Sequence, residues 1–250
     1  VQDSGYAGGV PPRQARTPRS VWLRPERPAR DRQLSRVAIV TAAVAVLDAE
    51  GTPGLSMRRV AAELKVTAGS LYWYVDGKDE LLELAADQVT GEVDLPAAGS
   101  GDWRQALAQT ARSQRAMLLR HPWAASVLSR VPNMGPNALR AADRTLATLA
   151  GAGFSPDLAD AALTAVSNQV TGAVIAETAW RAVVTGPAAT LADWQRDAAG
   201  YLAQVTERYP HVAARLTAPA PDMEAASEAR FDLALDCLLD GLRARLGNRS

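Results

Sequence analysis

The sequence is short of nearly everything that covalent chemistry uses. One cysteine, Cys237, and two histidines, His121 and His211, stand in 250 residues. A single thiol forms no intrachain disulfide, so a reducing compartment, the cytoplasm, is expected. Cys237 falls in a periodic apolar stretch and reads as a small buried hydrophobe. Two isolated histidines are too few for a zinc site, and no metal or cofactor is expected. The sequence holds no phosphate-cradling glycine loop, no Gly-x-Ser-x-Gly elbow and no His/Asp pair around Cys237, so it does not read as an enzyme.

Charge of one sign is missing too. Twenty-seven Lys and Arg balance 27 Asp and Glu, so the basic isoelectric point that usually flags nucleic-acid binding is absent. Lys65 and Lys78 are the only lysines. No apolar run reaches membrane-spanning length and no signal peptide opens the chain, so no membrane partner is expected. Strand-like alternation of β-branched residues is lacking as well, whereas Ala, Leu and Arg, all good helix formers, abound. The fold class expected is therefore all-α: a small N-terminal three-helix domain and a larger helical one.

Three regions follow from composition. Residues 1–32 are rich in Pro, Gly and Arg and read as a disordered arm. This is either a solvated tail or a strand that lays Arg13, Arg16, Arg19, Arg24 and Arg27 into a DNA minor groove. Val21-Trp22-Leu23 interrupts its charge with apolar groups, as a docking point would. Residues 33–77 form a compact module whose first helix, with Val40, Ala43, Val44 and Leu47 at helical spacing, stops at Gly51. Residues 78–250 give helices near 78–93, 102–120, 122–130, 136–151, 157–182, 188–208 and 223–246, punctuated by Pro and Gly. Segments 183–189 and 209–222 read as mobile loops.

Residues 55–82 carry the most information. Met57, Val60, Ala61 and Leu64 recur at i, i+3, i+4, i+7, one buried helical face, with Ser56 as N-cap. After a Lys65-Val66 turn, Thr67 caps a second helix in which only Leu71 and Val75 look inward. Ala68, Gly69, Ser70, Tyr72, Trp73 and Tyr74 are left facing outward or sideways. An outward-facing helix propped on an apolar one is how a helix-turn-helix meets a DNA groove. Trp73 either packs into the module's core or faces the groove, while Tyr72 and Tyr74 are placed for phosphate contacts.

Four blocks in order resemble the DNA-binding domain of the tetracycline-repressor family of transcriptional regulators. They are the Ala/Val-rich helix ending at Glu50-Gly51, Leu55 to Ala61, Gly69 to Val75, and Lys78-Asp79-Glu80-Leu81-Leu82. The resemblance implies a ligand-responsive regulator, most simply a repressor on a palindromic operator; an activator, or a helical ligand-binding or scaffolding protein, are the alternatives. It also implies roles. Ser56 and Arg58 would touch phosphate or a base edge, Thr67, Ala68, Gly69 and Ser70 would meet bases, and Tyr72, Tyr74 and Lys78 would hold the backbone. Lys65 stands where the family usually has Gly, in a turn that often needs φ > 0; its side chain could reach a phosphate.

Residues 102–182 also resemble the family's ligand-binding region, with His121, Gly153-Phe154-Ser155 and Thr171-Gly172-Ala173-Val174 in matching order. By that resemblance Thr110, Gln114, Met117, Trp123, Met134, Asn168, Gln169 and Ala176 would line a site for a small organic effector. Tetracycline-binding members hold a drug–magnesium chelate with a His and, through water, a Glu. Here Leu128-Ser129 and Ala176 occupy those places, so an effector without metal is expected. Helix 157–182, with Ala161, Ala162, Ala165, Val166, Gly172, Ala173 and Ala176, and helix 223–246, with an apolar stripe from Phe231 to Leu246, would pair with their mates in a homodimer. Burial of both in a monomer core is the other reading.

Overall fold

The first helix is built on Ile39, Ala43, Val46 and Leu47, all at most 1% exposed and one helical face apart. In a computed structural model the residues described are 20–23, 34–97, 102–130, 133–185, 191–217 and 223–247. The arginines proposed for the arm, Arg13, Arg16, Arg19, Arg24 and Arg27, lie outside them. Eleven α-helices and a 3-10 turn, Val21–Leu23, occur among the described residues, with no strand.

Helix α1 (Arg36–Gly54) is capped by Ser35, whose Oγ accepts from the Ala38 N–H at 3.1 Å. Gly51 breaks its regular course at φ 67°, as the sequence predicts. By length and hydropathy α1 would pass for a membrane span, which departs from the expectation of none. Its apolar face instead packs on α2 (Met57–Glu63) and α4 (Lys78–Thr90). The short α3 (Ala68–Leu71) stands on α2.

The larger part comprises α5 (Trp103–Arg120), α6 (Pro122–Leu128), α7 (Pro136–Gly151), α8 (Pro156–Thr185), α9 (Leu191–Val205), α10 (Pro210–Thr217) and α11 (Met223–Gly247). The long α8 packs against α5, α6, α7, α9 and α11. Helix α4 is shared: it meets α1 on one side and α6, α7 and α5 on the other. Several boundaries differ from the sequence reading: α4 ends at Thr90, α6 at Leu128, and α9 spans Leu191–Val205 rather than 188–208. Helix α8 runs on to Thr185, and Pro210, at a first helical position where its missing N–H costs nothing, starts α10 in a stretch read as loop.

The α11 stripe is largely as expected, with Phe231, Leu235, Leu239 and Leu242 buried. Cys237 is not: it is exposed. Two residues past Leu235 is about 200° around a helix, which turns the thiol away from the core.

Candidate DNA-reading surface and effector region

The reading element is short, so its support decides its geometry. Leu71 and Val75 are fully buried, and the Tyr74 and Val75 amides donate to the Leu71 carbonyl at 2.9 and 3.0 Å. This tight turn directs the three aromatics differently. Tyr72 is 50% and Trp73 63% exposed, while Tyr74 is half-buried against the core. Trp73 therefore does not pack into the module's core, and Tyr74 is the aromatic that does.

Ser56 is the N-cap of α2, its Oγ accepting from the Arg59 N–H at 3.1 Å. Arg58 is exposed, whereas Arg59 is held by Glu50 at 2.7 Å and Glu63 at 2.9 Å. Thr67 is the N-cap of α3 by backbone, but its hydroxyl lies 2.8 Å from that of Ser70 rather than on a backbone amide. Gly69 is exposed, and a Cβ built there meets nothing nearer than Thr67 Oγ1 at 3.9 Å. The chain's own packing therefore does not require glycine at this position. Lys78 opens α4 and donates from Nζ to the Thr52 carbonyl at 2.7 Å, on the surface.

Lys65 has φ 57°, in the left-handed region. The Val66 N–H donates to Ala61 O at 2.9 Å and the Lys65 N–H to Ala62 O at 3.1 Å. That pair of bonds is a Schellman end to α2. The same pair closes α7, where Phe154 N–H reaches Leu149 O and Gly153 N–H reaches Ala150 O. There the left-handed residue is Gly153, φ 88°.

Between the reading helices and the rest, charged groups make the joints. Asp48 of α1 accepts from the Trp123 indole N–H at 2.7 Å, and His121 Nδ1 lies 2.7 Å from the same oxygen. A carboxylate only accepts, so Nδ1 carries the proton. His121 Nε2 faces Glu92 at 3.3 Å, and Glu92 also takes Arg120 at 2.8 Å. On α4, buried Glu80 holds Arg36 at 2.6 Å and the Asp76 N–H at 2.9 Å. Asp87, 2% exposed, accepts from the Ala138 N–H at 3.0 Å and the Asn137 N–H at 3.3 Å. One acid of α4 thus caps the N-terminus of α7.

The expected effector-lining residues divide. Helices α5, α6, α7 and α8 do pack on one another. Met117 and Trp123 are buried among them, and Thr110, Gln114 and Gln169 are half-buried. Met134, Asn168 and Ala176 are exposed. The buried face of α8 follows Ala162, Val166, Val170 and Val174, and Asn168 and Ala176 each stand two residues beyond a member of it, on the far side. Trp123 also spends its only donor on Asp48. Glu177, next to Ala176, is bound inward: Arg115 at 2.7 Å, Arg181 at 2.8 Å and the Ser227 hydroxyl at 2.7 Å. Arg115 lies over the Phe231 ring at 5.2 Å.

Residues 39–85 match the model for bacterial regulatory proteins of the tetR family, and residues 95–246 the tetracycline repressor-like C-terminal domain. The chain belongs to the tetracycline-repressor family. A helix-turn-helix transcriptional regulator of Saccharopolyspora erythraea is 39% identical over 238 residues, covering 92% of this chain and 94% of that one. The transcriptional repressor DrrR1 of Streptomyces coeruleorubidus is 36% identical over 242 residues, covering 94% and 87%. The crystal structure of ActR from Streptomyces coelicolor in complex with actinorhodin superposes with a TM-score of 0.71 at 34% identity, covering 86% and 99%.

As a tetracycline-repressor family member the chain is a transcriptional regulator that binds DNA, with an N-terminal helix-turn-helix and a helical C-terminal domain. No local pattern in the sequence marks the joints at Asp48, His121, Asp87 and Glu177. Their partners lie 73, 50 and 62 positions away along the chain, and an isolated acid on a helix reads as a solvated face.

Proposed function

We propose that this regulator represses transcription as a homodimer on a palindromic operator and is released by a small organic molecule that binds without metal. Residues 33–77 read the DNA and residues 78–250 bind effector and dimerise, in the cytoplasm and with no catalytic role. The single observation that carries the reading is the solvent-facing side of α3 and the turn after it: Gly69, Tyr72 and Trp73 are exposed, on Leu71 and Val75 that are fully buried. Small residues at 68–70 let a helix approach base edges closely.

Dimerisation is supported by what α8 and α11 leave uncovered. Ile175, Val183 and Leu233 are 43%, 47% and 68% exposed, beside Gly172, Ala176, Ala179 and Cys237. Small residues among exposed aliphatics suit close helix pairing across a two-fold axis. That symmetry would set two reading helices roughly 34–36 Å apart. An organic effector is supported by the likeness to ActR, whose complex holds actinorhodin, and by the region bounded by α5 to α8. Effector release requires tighter binding to the DNA-incompetent state, with α4 carrying the change.

The test is a gel shift with the duplex upstream of the protein's own gene. Lys78→Ala should weaken binding to all sequences and lower the salt slope by about 1, whereas Ser70 and Gly69 substitutions should change which sequence is preferred. Absence of any shifted band, or identical behaviour of both classes, overturns the assignment. A thermal shift with tetracycline plus magnesium, absent with either alone, would overturn the metal-free effector.

A further inference from the structure

One residue of the reading domain is held in a conformation that its side chain resists. Lys65 is the only non-glycine residue at positive φ among the described residues, although a Cβ makes the left-handed region costly. The helix end it forms does not ask for lysine. Its twin at the end of α7, closed by the same two backbone bonds, puts Gly153 in that place. Strain of this kind collects at functional sites, and here it sits two residues before Thr67, the N-cap of α3.

What the chain places there is a free charge. Lys65 is exposed, and its ammonium makes no hydrogen bond or ion pair among the described residues. The other lysine, Lys78, donates to the Thr52 carbonyl, and Arg59 is neutralised by Glu50 and Glu63. Arg58 is exposed and, like Lys65, unpaired among the described residues. Seven residues, two helical turns, separate Arg58 from Lys65, so the two lie close to one stripe of α2 about 10.5 Å apart. Exposed Ala62 stands between them. A small residue between two unpaired cations leaves an edge on which a phosphate backbone can lie.

We infer that Lys65 grips a DNA backbone phosphate beside the groove that α3 reads, extending along α2 a basic edge that starts at Arg58. In a helix-turn-helix the first helix crosses the backbone while the N-terminal residues of the second enter the groove. The turn between them therefore lies where backbone and groove meet. Lysine is a compact charge on a flexible stem, which can meet a phosphate from a turn without a fixed geometry. Such a contact carries no sequence information: it adds affinity on every duplex and leaves the choice of operator to α3. The inference rests on the reading of α3 as the DNA-reading helix.

The experiment uses the full chain and measures binding across a salt series on two duplexes, the one upstream of its own gene and an unrelated one of equal length. Lys65→Gly and Lys65→Asn remove the charge with residues that tolerate a left-handed turn. Lys65→Arg keeps both charge and strain. Thermal unfolding is followed in parallel. Lys65→Gly should raise Tm by roughly 2–4 °C and yet weaken binding to both duplexes about fivefold at about 0.15 M salt, with the salt slope lower by about 0.9. Lys65→Asn should match it on DNA with a smaller gain in Tm. Lys65→Arg should bind as the wild type does.

A rise in Tm with an unchanged slope overturns the inference, because Lys65 is then a strained helix end and no more. So does a Lys65→Arg variant that loses as much as Lys65→Gly, since charge is then not what binds. A loss confined to the gene's own duplex overturns it too, as a backbone contact acts on both. Lys78→Ala tests the underlying reading: if it lowers the slope while Lys65→Gly does not, only this inference falls. If neither lysine nor Ser70 and Gly69 substitutions change binding, α3 is not on DNA and both readings fall.

Discussion

The indole N–H of Trp123 and the carboxylate of Asp48 meet at 2.7 Å across the boundary between the reading helices and the effector region. His121 presses on the same oxygen from the same side. Two buried donors from the α5–α6 corner therefore depend on one acceptor in α1. Removing an acceptor strands donors away from water, and each costs on the order of 1–3 kcal/mol.

Asp48→Ala should lower stability by about 3 kcal/mol, measured by denaturant unfolding, with most of the loss recovered in Asp48→Asn, which keeps an acceptor. The gel shift should report the second consequence. A protein whose α1 no longer holds α6 should bind its operator in a way less responsive to any effector. A stability change below about 0.5 kcal/mol for Asp48→Ala would show that the joint is idle.

Asp87 makes a stronger demand. It is 2% exposed and caps α7 through the Asn137 and Ala138 amides, so Asp87→Ala should cost about 2–4 kcal/mol, an N-cap loss plus buried donors left unmet. Gly135→Ala attacks the same contact from the other partner, since a Cβ at Gly135 would overlap the Asp87 carboxylate. It should be destabilising in the same assay, and the two substitutions combined should cost less than their sum. Full additivity would separate the two residues.

Lys65 and Gly69 form an opposed pair. Lys65→Gly relieves a left-handed residue with a Cβ and should stabilise by about 1 kcal/mol, a rise of roughly 2–4 °C in Tm. Gly69→Ala should also stabilise, by roughly 1 kcal/mol, because the added methyl meets nothing nearer than Thr67 Oγ1 at 3.9 Å. Operator preference separates them. Gly69→Ala should weaken specific binding at least tenfold if α3 lies against base edges, and unchanged binding there would remove α3 from the groove.

Leu233→Asp introduces a charge on the uncovered face of α11, where Leu233 is 68% exposed. In an isolated chain it should leave stability within about 0.5 kcal/mol. In a dimer it should halve the mass seen by sedimentation and abolish operator binding. A dimer of unchanged affinity would move the interface elsewhere.

Much of this was legible in the sequence because periodicity fixes faces within one helix. Leu71 and Val75 under α3, the stop at Gly51, and Phe231 through Leu242 on α11 all follow from spacing. The differences share a cause: a periodic pattern marks neither where a helix ends nor which of its faces meets the core. The aromatic run leaves helical spacing at Leu71, so Trp73 and Tyr74 do not alternate as a helix would place them. Cys237, Asn168 and Ala176 lie on true helices but on faces that a single chain leaves uncovered. Asp48, Asp87 and Glu177 act across long separations, and no local pattern carries such a pairing.

The 13 residues of α4 also set a scale for release. Asp87 ties the helix at one end, and Lys78 lies about 13 Å away along the axis. Taken as a lever pivoting at Asp87, a rotation of only about 5° carries Lys78 through roughly 1 Å. In the homodimer proposed above, two-fold symmetry would double that to about 2 Å between the two reading heads, more than the whole range over which a hydrogen bond to a base holds. On the proposed mechanism an effector would need to do little work on geometry: a tilt smaller than ordinary variation in helix packing would put one half-site out of step with the other.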